Sequence, residues 1–117
     1  MPMRLTAEEI EQRVSPHLPP DELYAGAFQG AEGIAARLAW RFRVVAVTDV
    51  GIHVYSARMW RACNPKRLLS SHQLDAMIER PRKPFSLAHE IVVGDRRLWV
   101  TVAWGRDLSA AMAATNR

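Results

Sequence analysis

Cysteine is almost absent: the 117 residues contain one, Cys63. That excludes an internal disulfide and a zinc site built on cysteines. Lysine is scarce as well, since Lys66 and Lys83 stand beside fourteen arginines. No apolar run approaches the ~20 residues that span a bilayer as a helix. The opening, Met1-Pro2-Met3-Arg4-Leu5-Thr6, has no apolar core of a secretory signal, so a cytoplasmic protein is expected. The chain has neither a phosphate-binding glycine loop nor a Gly-x-Ser-x-Gly elbow. Its four histidines, His17, His53, His72 and His89, follow no metal-ligand spacing. Asp75 and Glu79 share a strand face with nothing to form a pocket between them. No metal, cofactor or catalytic function is therefore expected.

What is present belongs to an ordinary globule. An apolar fraction of 49% with 24% charged residues suits one domain with a real core. The net charge of +4 is unevenly spread: residues 1–33 carry −4 and residues 34–117 carry +8. A basic body attracts phosphates on lipid or nucleic acid. The plainer alternative is a solvated basic surface, its arginine excess set by a GC-rich genome.

Residues 1–20 read as an amphipathic helix with a proline-rich connector. Thr6 and Glu9 form a capping box, Leu5 and Ile10 a hydrophobic staple, and Ile10, Val14 and Leu18 an apolar stripe. Pro16 and the Pro19-Pro20 pair end the helix. Such a helix docks on its own domain or serves as an arm for a partner. Residues 22–29 read as a first strand, and residues 30–39 as a loop or short helix. Trp40 to Ala57 reads as two strands around Asp49-Val50-Gly51, with Gly51 in the left-handed position of a three-residue loop. Arg41 and Arg43 then fall on the solvent side of the first of these strands, opposite Phe42 and Val44.

Strands are expected at residues 68–71, 74–79 (Leu74, Ala76 and Ile78 inward), 86–93 and 96–104 (Leu98, Val100, Val102 and Trp104 inward). His53 and His89 are expected at outward or rim positions. Gly94-Asp95 suits a two-residue hairpin turn that opens with glycine. Asp107 is a candidate cap for a final helix with Leu108, Ala111, Met112 and Thr115 inward. Cys63, near Arg61 and Lys66, is either a thiol of lowered pKa or an incidental one.

About seven short strands and a closing helix make an α+β, mainly β fold, a small antiparallel barrel or sandwich. At this point residues 21–117 resemble a pleckstrin-homology (PH)-like domain, in particular small bacterial PH-like proteins of actinobacterial type. The resemblance is carried by the Leu18-Pro19-Pro20-Asp21-Glu22-Leu23 entry, Val45-Ala46-Val47-Thr48-Asp49 and Gly51-Ile52-His53-Val54-Tyr55. Asn64-Pro65-Lys66-Arg67-Leu68-Leu69, Gly94-Asp95-Arg96-Arg97-Leu98 and the alanine-rich last helix complete it. Phosphoinositide-binding members of that family place a basic residue at the end of the first strand and Lys/Arg-x-Arg on the second. Arg41-Phe42-Arg43 matches the second element, whereas Gln29 stands where the first is wanted and Arg37 is a loose substitute. The fold hosts lipid binders, peptide binders and scaffolds, so function does not follow from it.

The expected function is a non-enzymatic binding module that meets a protein segment or an anionic phospholipid surface, with peripheral membrane association. The residues expected to carry it are Arg37, Arg41, Arg43, Arg58, Trp60, Arg61, Lys66 and Arg67. Trp60 among arginines suits a membrane interface or a stacked base, or else a core position. Nucleic acid bound by the same face is the alternative, and homo-oligomers through sheet edges are a third.

Overall fold

In the computed structural model, residues 5–32, 41–58, 63–81 and 88–116 are described. Helix α1 (Ala7–Val14) starts at the expected capping box: Thr6 Oγ1 accepts the Glu9 N–H, and the Glu9 carboxylate accepts the Thr6 N–H. A single 3-10 turn at Ser15–His17, carrying Pro16, ends it. Seven strands follow: β1 (Tyr24–Glu32), β2 (Arg41–Thr48), β3 (Gly51–Ala57), β4 (Pro65–Gln73), β5 (Met77–Glu79), β6 (Ala88–Val93) and β7 (Arg96–Thr101). Helix α2 (Gly105–Thr115) comes last.

All strand pairs are antiparallel, in the order β4-β3-β2-β1-β7-β6-β5. Strands β4 and β5 occupy opposite edges, yet Leu74–Ala76 alone joins them. Three extended residues reach about 10 Å, whereas the edges of a flat seven-stranded sheet lie about 29 Å apart. The sheet must therefore fold back on itself. The bend falls at the junction of β1 and β7, where one residue pair, Ala31 with Trp99, bridges the strands. The Gly94 N–H donates to the Ala76 carbonyl, and Arg96 Nε donates to Ser70 Oγ on β4, so the two layers meet at their far side. Strands β4 and β5 remain unpaired with each other. The fold is mainly β, with one helix at each end, and the sheet is not closed into the expected barrel.

Between the layers lie Phe28, Ile52, Val54, Ile91, Leu98 and Val100, with Ile10 and Val14 of α1 in the same core. Val44 to Val47 are buried without alternation, because cover on both faces of β2 overrides a two-residue rhythm. Helix α2 lies against β1, β2 and β7. A Cβ at Gly26 would stand 3.2 Å from the Ala111 Cα, so the glycine lets helix and strand approach closely.

Several expectations are corrected. The first strand starts at Tyr24 and runs through Gly30 to Glu32, since its pairing with β2 continues to Arg41. The β2–β3 turn is Asp49-Val50 alone, and Gly51 is the first residue of β3 with no positive φ. Its special role is steric: a Cβ there would stand 2.7 Å from the His72 carbonyl oxygen. The 74–79 strand shortens to β5 with its faces reversed, Met77 buried and Ile78 exposed. Strand β7 stops at Thr101, and a 3-10 turn leaves Val102 exposed. Asp107 is not the cap of α2; it lies in the first turn, buried and bonded to Arg106, where a negative charge suits the helix dipole. In the last helix Met112 is half-buried, while Leu108 and Ala111 are fully within the core. The Gly94-Asp95 turn forms as expected, with Gly94 at φ +63°.

Candidate functional site

The basic residues are gathered by strand register. Phe42 pairs with Ala57, and Ala57 with Pro65. Arg41 before Phe42, Arg58 after Ala57, and Lys66 and Arg67 after Pro65 therefore lie at one end of the β2–β3–β4 layer, and all four are exposed. The Arg67 N–H donates to Ser56 Oγ at 3.2 Å, which sets that side of the row. Arg37, Trp60 and Arg61 lie outside the described residues, as do Trp40 and most of residues 30–39.

Arg43 does not face solvent freely. Its Nε donates to Glu32 Oε1 at 2.7 Å, and its side chain is 12% exposed. Arg96 Nη1 reaches the same carboxylate at 2.9 and 3.2 Å. Arg43 pairs with Gly30 across β1, and Glu32 lies two residues along, within diagonal reach of a long side chain. Two guanidiniums share one carboxylate, leaving a partly buried excess positive charge beside the exposed row. Sequence reading missed Glu32 and Arg96; the only local signal was Arg96 following the Gly94 turn.

His53 and His89 are buried, not outward. His53 Nε2 lies 2.8 Å from Glu22 Oε1 and Nδ1 lies 2.8 Å from Ser71 Oγ. A carboxylate only accepts, so Nε2 carries the proton, and in the neutral ring Nδ1 accepts from the Ser71 hydroxyl. Thr48 Oγ1 also donates to Glu22 Oε1, at 2.6 Å. These bonds hold the Glu22 carboxyl below its ordinary value, the His53 bond first and the Thr48 bond second. Together with Tyr55 Oη donating to the His17 carbonyl and Leu23 N–H donating to Asp49 Oδ1, they fasten the connector after α1 to β2 and β3.

His89 Nε2 donates to the Arg80 carbonyl at 2.6 Å, and its Nδ1 lies 3.3 Å from Glu79 Oε1. These groups line a cleft of about 420 Å³ that runs to Thr101 and the start of α2 at Gly105 and Ser109. A second cleft, of about 360 Å³, opens at the β1–β7 junction, with Phe42, Trp99 and Trp104 in its wall. No grouping of three or more metal-ligating side chains occurs among the described residues.

Cys63 is fully buried, with its N–H donating to Gln29 Oε1 at 2.8 Å. Burial, reinforced by the Asp107 charge, pushes its thiol up to about 12. That opposes the reactive thiol the neighbouring cations suggest, because Lys66 points its charge to solvent while the sulfur is sealed from it. No helix among the described residues is long and apolar enough to cross a membrane. No protein-family model matches the chain, and no curated protein matches it.

Proposed function

We propose that the chain is a PH-like, cytoplasmic binding module without catalytic function that docks its basic sheet end on an anionic phospholipid surface. The observation that carries this reading is the convergence of Arg41, Arg58, Lys66 and Arg67, all exposed, at one end of three adjacent strands. Each cation near an anionic membrane contributes about 1 kcal/mol, so four acting together give weak, reversible association. The attraction is screened over ~8 Å at physiological ionic strength, so it must fade with salt. Arg43 contributes field but not contact, since Glu32 and its own burial hold it back.

Co-sedimentation of the full chain with vesicles containing phosphatidylserine tests this at low and moderate salt. Wild type is expected to pellet at low salt and to stay soluble as salt rises. The triple variant R41E/K66E/R67E is expected to remain in the supernatant with an unchanged circular dichroism spectrum, because exposed charges contribute little to stability. Wild type that fails to pellet at low salt overturns the membrane reading and leaves an acidic protein segment as the ligand class. Pelleting that a short oligonucleotide displaces at stoichiometric amounts favours nucleic acid instead.

A further inference from the structure

Strand β4 exposes three consecutive residues, Lys66, Arg67 and Leu68. A regular strand turns alternate side chains to opposite faces, and three in a row depart from that rhythm. The register departs with them. Ala57 of β3 pairs with Pro65 and Tyr55 pairs with Leu68, so Lys66 and Arg67 together stand opposite Ser56 alone. Val54 then pairs with Ser70, which leaves Leu69 as a second extra residue. The Arg67 N–H donates to Ser56 Oγ at 3.2 Å, which fixes the first irregularity. Bulges of this kind bend a strand and re-aim its side chains. Strand β4 is also an edge of the sheet. A bulged edge is a poor template for another strand, because the bulges twist its backbone groups out of line. The segment is shaped to meet a surface by its side chains rather than to extend the sheet.

An exposed leucine by itself calls for no explanation. Leu68 is distinguished by its company. The other large apolar side chains exposed among the described residues are Leu23, Val50, Ile78 and Val102. Leu23 and Val50 lie at the β2–β3 turn, the opposite end of the layer from the basic row. Ile78 belongs to β5, and Val102 follows β7. Leu68, 51% exposed, comes directly after Lys66 and Arg67, at the end that also carries Arg41 and Arg58. An apolar side chain framed by cations complements a surface that is anionic outside and apolar beneath.

We propose that the bulged segment of β4 inserts Leu68 into the acyl boundary of an anionic bilayer while Lys66 and Arg67 meet its phosphates. Such insertion rests on the membrane docking proposed above. It adds to that docking an apolar contribution that salt does not screen, since screening acts between charges.

Partition of the full 117-residue chain into vesicles of phosphatidylserine and phosphatidylcholine at low salt tests this. Leu68→Ser is expected to lower the partition coefficient about ten-fold, the effect of withholding part of a leucine from an apolar phase. Its salt dependence should match wild type, because no charge is lost. Leu23→Ser, at the far end of the layer, should partition as wild type does. Leu68→Trp should partition more strongly than wild type, since tryptophan favours the membrane interface; if Leu68→Ser fails to fold, this variant carries the comparison. Depth is read from Leu68→Cys carrying an environment-sensitive nitrobenzoxadiazole label, which the native thiol does not compete for because Cys63 is fully buried. Its emission should rise and shift to the blue on vesicles, while the same label on Leu23→Cys should not respond. Wild type that partitions no better than Leu68→Ser overturns insertion and leaves surface docking standing. So does an unshifted label at position 68 on bound protein, and so does an equal loss in Leu23→Ser. Wild type that does not partition at all overturns the docking and the insertion together.

Discussion

At the residue scale, Gly51 separates two physical reasons for a glycine. A glycine after Asp49-Val50 suggests a left-handed backbone, and the structure gives it none. What it cannot carry is a Cβ, which would meet the His72 carbonyl oxygen of β4 at 2.7 Å. Asparagine tolerates positive φ, so it would be an acceptable replacement under the first reading. Under the second, Gly51→Asn and Gly51→Ala both force β3 from β4 and should cost about 1–3 kcal/mol, as overpacking does. Urea unfolding distinguishes these: a Gly51→Asn midpoint equal to wild type would return the residue to the turn. Gly94 makes the first demand, with φ +63°, while the nearest atoms to a Cβ there belong to the His72 ring, which can turn aside as the carbonyl beside Gly51 cannot.

At the scale of elements, the connector after α1 is held by side chains rather than by a ladder. Glu22 is its main clasp, through His53 and Thr48. Its carboxyl titrates below its ordinary 4.5 because the folded state supplies those donors. A depressed carboxyl contributes stability that is fully present above the unfolded value and is lost as pH falls through the folded one. Stability should therefore drop as pH is lowered from 4.5, and Glu22→Gln should flatten that part of the profile while destabilising the protein at neutral pH. Denaturant midpoints between pH 3 and 7 measure it on the order of a single titrating group; identical wild-type and variant profiles would mean that the clasp is not coupled to folding. The capping box at Thr6 and Glu9 was readable because its bonds close within four residues, whereas the clasp joins residues 22 and 53.

At the scale of the molecule, two sheet layers meet at a corner bridged by a single residue pair. Glu32 reinforces that corner: it takes Arg43 from β2 and Arg96 from β7, and Arg96 goes on to Ser70 of β4. Removing the carboxylate leaves two partly buried guanidiniums facing each other. Charge-assisted bonds of this kind contribute about 1.5–3 kcal/mol each when broken, reduced here by partial solvent access. Glu32→Ala should lower the unfolding midpoint clearly more than Glu90→Ala, whose Arg97 partner is 71% exposed. Equal losses would show that the corner is held by packing alone.

Local chemistry made part of this protein legible without its fold. The α1 capping box, the proline stop after Val14, the Gly94-Asp95 turn and the β-branched content of β2 and β3 act over a few residues, so their outcome is written where they stand. The mainly β class with a helix at each end followed from those signals. Arg41 and Arg58 meet through the β2–β3 hairpin that the same signals imply, whereas Lys66 and Arg67 join them because β4 starts at Pro65 rather than at the expected residue 68 and pairs with β3 through a shifted register. The tertiary structure alone decided the burial of His53 and His89, the capture of Arg43 by Glu32, the sealing of Cys63 and the opening of the apolar cleft. Each of these depends on residues tens of positions apart being brought together when the sheet folds back on itself. Side-chain period says which residues share a face of a strand, but not what the other layer places against that face.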